Sequence, residues 1–514
     1  AGQLERATVG DADDRYADAD QRAVAEAGVA TRAQSTDASA YPLGSPDRVH
    51  PTLEDPIAGE LSERLGGPMG SHGATHRWWT PVRVVLALTA LCFVAGMVQK
   101  APCYQSTWGD EKARYAQMCY SDLPYLYTGR GFVERAWPYT DDTATRARFS
   151  VMEYPVGISY WAYGTAWVTH AVVGFPDLAE RSARPTDELW GRVDVQREIR
   201  GFVIINALGF AVLALLSAGL LTRVNPHRPW DALPFALSPA LALTGLINWD
   251  LIAVACVAAA LWAWARGGSS GAWWTGVFLG LGTAAKLYPL FGLGALVVIC
   301  VKDRRLADLA RAIFAAALTW LVVNAPGYLT GPDSWRVFWR FNSDRGADLG
   351  SLWLVWQQLN GVIDVGLIND VSLAFFAGWC LLVLALGLAA PTTPRFAQLF
   401  FLLVAGFLLV NKVYSPQYVL WLLPLAVIAR PRWRDQIIWQ ATEVFYFMAV
   451  WWYLGGFITA ADGAESPLYW VAILVRVAGE LYLVGVVMRD VLRPGADPVL
   501  RVPLAEPVAT AALS

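Results

Sequence analysis

Charge is scarce in this chain. Charged residues are 16% of the 514, against 55% hydrophobic, where a soluble globular chain carries about 25% charged side chains. That shortfall excludes a wholly soluble protein, because most of the chain faces something other than water. The net charge is −3, so nothing draws the molecule as a whole toward nucleic acid. Histidine is sparse, with five residues. His50, His72 and His76 stand in the polar N-terminal stretch and His170 and His227 lie far apart, a pattern that does not suit a metal site. There is no glycine loop ending in Gly-Lys-Ser/Thr, which argues against an ATP-driven pump. No apolar run precedes residue 82, so a cleaved signal peptide is not expected and the first run is read as an uncleaved signal anchor. No internal repeat of the kind found in many secondary transporters is evident.

What is present is a succession of apolar runs. A membrane span needs about 20 apolar residues. Candidates are 82–99, 155–175, 201–222, 232–247, 250–266, 272–287, 288–301, 310–329, 368–390, 397–411, 415–429, 435–455 and 467–488. The 25 Trp suit the membrane–water boundary. Basic clusters at Arg77/Arg83, Arg223/Arg228, Lys302/Arg304/Arg305, Arg430/Arg432/Arg434 and Arg489/Arg493 are placed in the cytoplasm by the bias of Lys and Arg toward that side. Both termini are then cytoplasmic, and 100–154, 330–367 and the turn 411–415 are outside. An odd number of crossings cannot do this, so one run does not fully cross. The expected one is 155–175 or 232–247, leaving about 12 spans. The organisation is a disordered tail over 1–76, a membrane domain over 77–490, and a polar tail over 491–514. The fold class is an all-α polytopic membrane protein.

Cys92, Cys256, Cys300 and Cys380 lie in apolar runs and read as packing residues. Cys103 and Cys119 share the long first outer loop, on the oxidising side, where a disulfide is expected.

The ionisable residues outside the basic clusters are candidates for chemistry. Asp122 precedes Leu123–Gly129 in the first outer loop. It is either the N-cap of that short helix or an ionised carboxylate held near the membrane surface as a general base. Glu153, before Tyr154-Pro155, is either a first-turn charge or a second such carboxylate. Asp250 follows Asn248-Trp249 near membrane depth, where ionisable residues are costly and usually functional, although it too can be an N-cap. Lys286 and Lys412 interrupt apolar surroundings and either snorkel or meet an anion. With Arg340 and Arg345 they suggest a phosphate approaching from the outer leaflet.

In order along the chain, Asp122-Leu123 with Tyr127, Glu153-Tyr154-Pro155, Asn248-Trp249-Asp250-Leu251, Lys286-Leu287-Tyr288-Pro289 and Ser415-Pro416-Gln417-Tyr418 resemble glycosyltransferase family 87, a branch of the polyprenol-phosphate-sugar-dependent C-superfamily. The resemblance covers roughly 82–490. It departs where the second helix opens Tyr-Pro-Val instead of Tyr-Pro-Pro, and where Lys412 to Gln417 replaces a His-containing motif. It implies a glycosyltransferase C-type fold whose long first outer loop carries juxtamembrane helices. It also implies an α-mannosyltransferase that inverts a polyprenyl-phosphate donor outside the membrane, without metal or cofactor, onto a lipid-linked or envelope glycan. Asp122 is implied as base, with Glu153 and Asp250 as further catalytic carboxylates. Arg345, Lys412, Lys286 and Arg340 would hold the donor phosphate, and Tyr127, Tyr154, Tyr414 and Gln417 the substrates. Transfer of arabinose or another sugar is an alternative. A lipid or solute transporter and a non-catalytic envelope scaffold are rivals of other classes.

The orientation has a direct check. A lone cysteine placed at Arg432 should resist an impermeant maleimide applied to intact cells, and lone cysteines in 330–367 should label. Labelling of position 432 from outside would overturn the orientation.

Overall fold

The computed structural model describes residues 55–66, 78–459 and 466–500. Most of the N-terminal tail, with His50, His72, His76 and Arg77, and residues 501–514 of the C-terminal tail lie outside the described residues. The described residues are helical, with no strand among them.

Among the described residues, five helices are long and apolar enough to cross a membrane: Pro81–Gln99, Val193–Leu221, Leu306–Thr330, Val365–Ala389 and Pro467–Leu492. The first starts at Thr80, whose hydroxyl accepts from the Arg83 N–H, with Pro81 at its first position, where the missing N–H costs nothing. Shorter apolar helices, Leu251–Arg266, Phe396–Val410 and Val419–Ala429, sit among them and bury most of their side chains. The last has 11 residues, or about 16 Å at 1.5 Å per residue, well short of a 30 Å hydrocarbon layer. Its neighbours shield it from lipid, so it need not reach both surfaces. Where it stops short, the chain turns at Pro416–Tyr418.

Small residues set the helix spacing. Gly276 and Gly280 of Gly268–Ala285 lie on the backbone of Leu306–Thr330, and a Cβ on either would stand 2.2 Å from the Ala312 carbonyl oxygen or 2.5 Å from that of Ala316. This is the Gly-x-x-x-Gly contact that lets membrane helices approach closely.

Two apolar stretches depart from a simple span. Residues 232–247 break into Leu233–Ala236 and Pro239–Thr244, interrupted by Ser238-Pro239. They run parallel to Pro81–Gln99, with Cys92 bonded to the Ser238 carbonyl and Gly96 on Ala242. Val156–Val173 instead runs antiparallel along the N-terminal half of Val193–Leu221. Trp161 meets Asn206 at 3.0 Å, and His170 meets Glu198 at 3.5 Å. It therefore brings the chain back toward the end where Val193–Leu221 begins.

Polar residues sort to the two ends of the bundle. The helix containing Phe407 ends beside Asn411 and begins at Arg395, which pairs with Asp497 at 2.9 Å. Trp433–Leu454 carries Trp451 near one end and Asp435 at the other, paired with Arg430 at 2.7 Å. Lys302 donates to the carbonyls of Gly387 and Leu388 at the same end. The clusters around Lys302 and Arg430 thus lie opposite the end that gathers Asn411 and Trp451.

The first loop is cross-linked. Cys103 and Cys119, both buried, form a disulfide closing 16 positions, packed against Trp108. A loop of this length contributes about 3 kcal/mol in the chain-entropy model. Neither thiol should label in intact cells until reductant is added. The double change to serine should lower unfolding stability in detergent by about that amount, read by thermal unfolding. Full labelling without reductant would show that no bridge forms.

Candidate active site

The end that gathers residues from 115–154, 338–349 and 411–418 holds a cavity of about 640 Å³. Its floor is made where several helices start or stop. Ser121 donates to the Leu246 carbonyl and the Asp122 N–H to the Ile247 carbonyl, both at 2.8 Å, so Leu123–Gly129 is pinned to the chain break before Leu251–Arg266. Helix Gly268–Ala285 ends at Lys286, and Lys286 reaches Asp250 at 3.4 Å. Asp250 also accepts from the Trp421 indole at 2.7 Å, and Trp421 stacks between Tyr288 and Tyr418. Each break frees backbone groups, and at membrane depth those groups need partners. The floor supplies them.

Asp122 occupies the N-cap position without capping: its carboxylate makes no bond to its own helix. It accepts from Asn248 at 2.8 Å, with the Tyr154 hydroxyl at 3.5 Å, and Tyr154 and Asn248 are themselves 2.6 Å apart. It lines the cavity half-buried and forms no ion pair at contact distance. Burial raises its pKa above the ordinary carboxylate value, against the lowering effect of hydrogen bonds from Tyr120 and Asn248 and the field of Lys286. Asp250 also leaves its own helix uncapped. The N-cap reading fails for both residues because their side chains are taken up by distant partners, Asn248 and Tyr154 for Asp122 and Lys286 and Trp421 for Asp250.

The other predicted residues separate into two groups. Glu153, Tyr154, Lys286, Arg345, Lys412 and Gln417 line the same cavity as Asp122. Glu153 is held bidentately by Arg130, at 2.6 and 2.8 Å, so its charge is already matched. Arg345 pairs with Asp348, Nε at 3.0 Å. Lys412 donates to the Ser343 carbonyl at 3.0 Å and to Asn369 at 2.6 Å, and burial lowers its pKa. Lys286 lies 4.6 Å over the Tyr154 ring.

Four residues fall elsewhere. Arg340 is exposed and lines a separate depression with Asp141 and Arg146; Trp339 beside it faces the cavity, and successive helical residues point about 100° apart. Tyr127 is buried, its hydroxyl 2.8 Å from both Glu198 and His170. Tyr414 is buried and donates to Glu480 at 3.0 Å. Asp250 lies beneath the floor and reaches the cavity through Lys286 and Trp421, both of which line it.

Two residues that sequence reasoning passed over organise the site. Asn248 was seen as part of a motif without a role, yet it bridges Asp122 and Tyr154. Arg476 is fully buried. It pairs with Glu443 at 2.9 Å, lies 3.4 Å over the Tyr414 ring, and donates to the Tyr414 and Ser415 carbonyls. It thereby fixes the turn that carries Lys412 and Gln417. Residues 348–349 brace the same turn: Asp348 donates to the Lys412 carbonyl and Tyr414 to that of Leu349, both at 2.8 Å. Gly350 has φ +75°, and a Cβ there would lie 2.2 Å from the Tyr414 carbonyl oxygen. The overlooked signal was a lone arginine in an apolar run four positions before Glu480, since intramembrane charges mark function or its support.

Arg476→Leu strands buried carboxyls and should destabilise the protein by about 3–5 kcal/mol, read by thermal unfolding in detergent. Adding Glu443→Gln should recover part of that loss, and no change in the single variant would show the pair to be inert.

No curated protein and no solved structure matches the chain. One family does, and the match takes in Asn248–Leu251, Lys286–Pro289, Arg345 and Lys412 but stops short of Asp122 and Glu153. Residues 194–416 match the family model described as glycosyltransferase family 87, and over that segment the chain resembles this family, which indicates a glycosyltransferase.

Proposed function

We propose that the protein transfers a sugar, with mannose the first choice, from a polyprenyl-phosphate donor to a lipid-linked or cell-envelope glycan at the extracytoplasmic membrane face. The observation that carries this reading is one cavity that pairs an un-neutralised carboxylate, Asp122, with three cations, Lys286, Arg345 and Lys412. The basic helix ends opposite the cavity support the extracytoplasmic side. A lipid-borne donor is supported by Pro332–Asp344, an amphipathic helix with Trp339 and Phe341 exposed at the cavity rim.

In this mechanism Asp122 takes the proton of an acceptor hydroxyl. The hydroxyl oxygen then bonds to the anomeric carbon as the bond from that carbon to the phosphate oxygen breaks. The bonding pair leaves on the polyprenyl phosphate, whose charge meets Arg345, Lys412 and Lys286. Attack opposite the leaving group turns a β-linked donor into an α-linked product. Asp250 holds Lys286 from below, Asn248 and Tyr154 aim the Asp122 carboxylate, and Gln417 is placed to touch substrate.

Asp122→Asn keeps size and hydrogen bonding while removing the base. In membranes given labelled polyprenyl-phosphate-mannose and lipid extract, it should lose about 100-fold or more in rate with unchanged expression. The acid limb of the wild-type kcat/KM profile should sit above the ordinary aspartate value of about 3.9, because activity falls as pH drops through a raised pKa. Lys412→Gln and Arg345→Gln should raise the donor KM. Were Asp122→Asn fully active and Asp250→Asn or Glu153→Gln dead, the base would be reassigned. If all three amides retain full transfer, this mechanism is wrong.

A further inference from the structure

The cavity wall near Asp122 is not charged. Tyr115, Tyr120, Trp451 and Leu454 line it, whereas the charged lining residues are Asp122, Glu153, Lys286, Arg345 and Lys412. The rings form a stack. Tyr115 and Tyr120 are parallel at 6.1 Å, Tyr120 and Tyr125 at 5.5 Å, and Tyr125 and Trp190 at 5.3 Å. Trp451 closes on Tyr120 at 5.1 Å and on Tyr115 at 6.3 Å.

Much of the first loop holds this stack still. The disulfide ends at Cys119, next to Tyr120. Buried Lys100 donates to the Tyr120 carbonyl at 3.0 Å, and Gln99 donates to the Met118 carbonyl at 2.7 Å. Arg114 lies over the rings of Tyr115 and Tyr125 and bonds the Tyr125 hydroxyl at 2.9 Å. Tyr125 in turn donates to the Trp108 carbonyl at 3.0 Å. Tyr120 is two residues before Asp122, whose N–H is bonded to the Ile247 carbonyl at 2.8 Å, so the anchored aromatic wall and the carboxylate belong to one short segment.

A charged leaving group has no partner on this wall and belongs by the cations. A molecule that gives a proton to Asp122 lies beside it. Pyranose rings have apolar C–H faces that pack on flat aromatic rings, and their hydroxyls need no ionic partner. We infer that Tyr115, Tyr120 and Trp451 form a subsite for a neutral saccharide, the acceptor glycan, which presents its hydroxyl to Asp122. This rests on the transferase reading and adds to it which wall the acceptor occupies and that its sugar next to Asp122 carries no charge.

The test uses the full-length protein in detergent with methyl mannoside and methyl α-dimannoside as probes, read by saturation-transfer NMR. Ring C–H protons should receive saturation in wild type and in Asp122→Asn. The effect should fall about fivefold to tenfold in Tyr115→Ala, in line with the loss of one aromatic contact, and return in Tyr115→Phe. In the transfer assay, Tyr115→Ala should raise the KM for lipid-extract acceptor by a similar factor and leave the donor KM unchanged. Unaltered saccharide contact and acceptor KM in Tyr115→Ala would overturn the subsite while leaving the transferase reading in place. A change in the donor KM alone would assign the wall to the lipid donor and overturn it too. Absence of transfer by wild type, with Tyr115-dependent saccharide binding retained, would sink the transferase mechanism and support the subsite.

Discussion

Two hydrogen bonds, from Ser121 and from the Asp122 N–H to the carbonyls of Leu246 and Ile247, set where Asp122 stands in the cavity. They join the long loop after helix Pro81–Gln99 to a chain break inside the bundle. A broken helix at that depth must satisfy its free carbonyls without water. By answering that need, the loop puts a carboxylate beside Asn248 and above Lys286. Distances in the site follow from the packing of two backbones and not from the reach of flexible side chains.

The same constraint accounts for the short central helices. Phe396–Val410 and Val419–Ala429 are among the most buried elements, yet they are too short to span a bilayer alone. Their shortness makes room above Pro416–Tyr418, and the turn there needs support because its carbonyls face the interior. Arg476 gives that support, at the cost of burying a guanidinium that Glu443 must match. Opposite charges removed from water together are tolerable; one alone is not. The buried pair is best understood as scaffolding for the turn that carries Lys412 and Gln417.

Charge in the cavity is divided between matched and unmatched groups. Glu153 is matched by Arg130, Arg345 by Asp348, and Lys286 in part by Asp250. Asp122 has only neutral hydrogen-bond partners at contact distance. An aspartate held this way remains basic enough to accept a proton, which a bidentate arginine partner would prevent. The contrast between Asp122 and Glu153, alike in sequence context, rests on whether a guanidinium lies within reach.

Hydropathy and charge placement settled that the chain is a helical membrane protein, where its apolar runs lie, and that its notable ionisable residues flank those runs. These are local, additive properties, legible because water and lipid act on each segment separately. The ordered short motifs also pointed to the family that matches residues 194–416. Only the tertiary structure decided that Asp122 and Asp250 do not cap their helices, that Arg340, Tyr127 and Tyr414 sit away from the cavity, and that 232–247 breaks into two short helices. It also brought Asn248 to Asp122 across 126 positions and Arg476 to Tyr414 across 62. Such pairings depend on how helices rotate and cross when glycine contacts bring them together, and no window along the chain encodes that rotation.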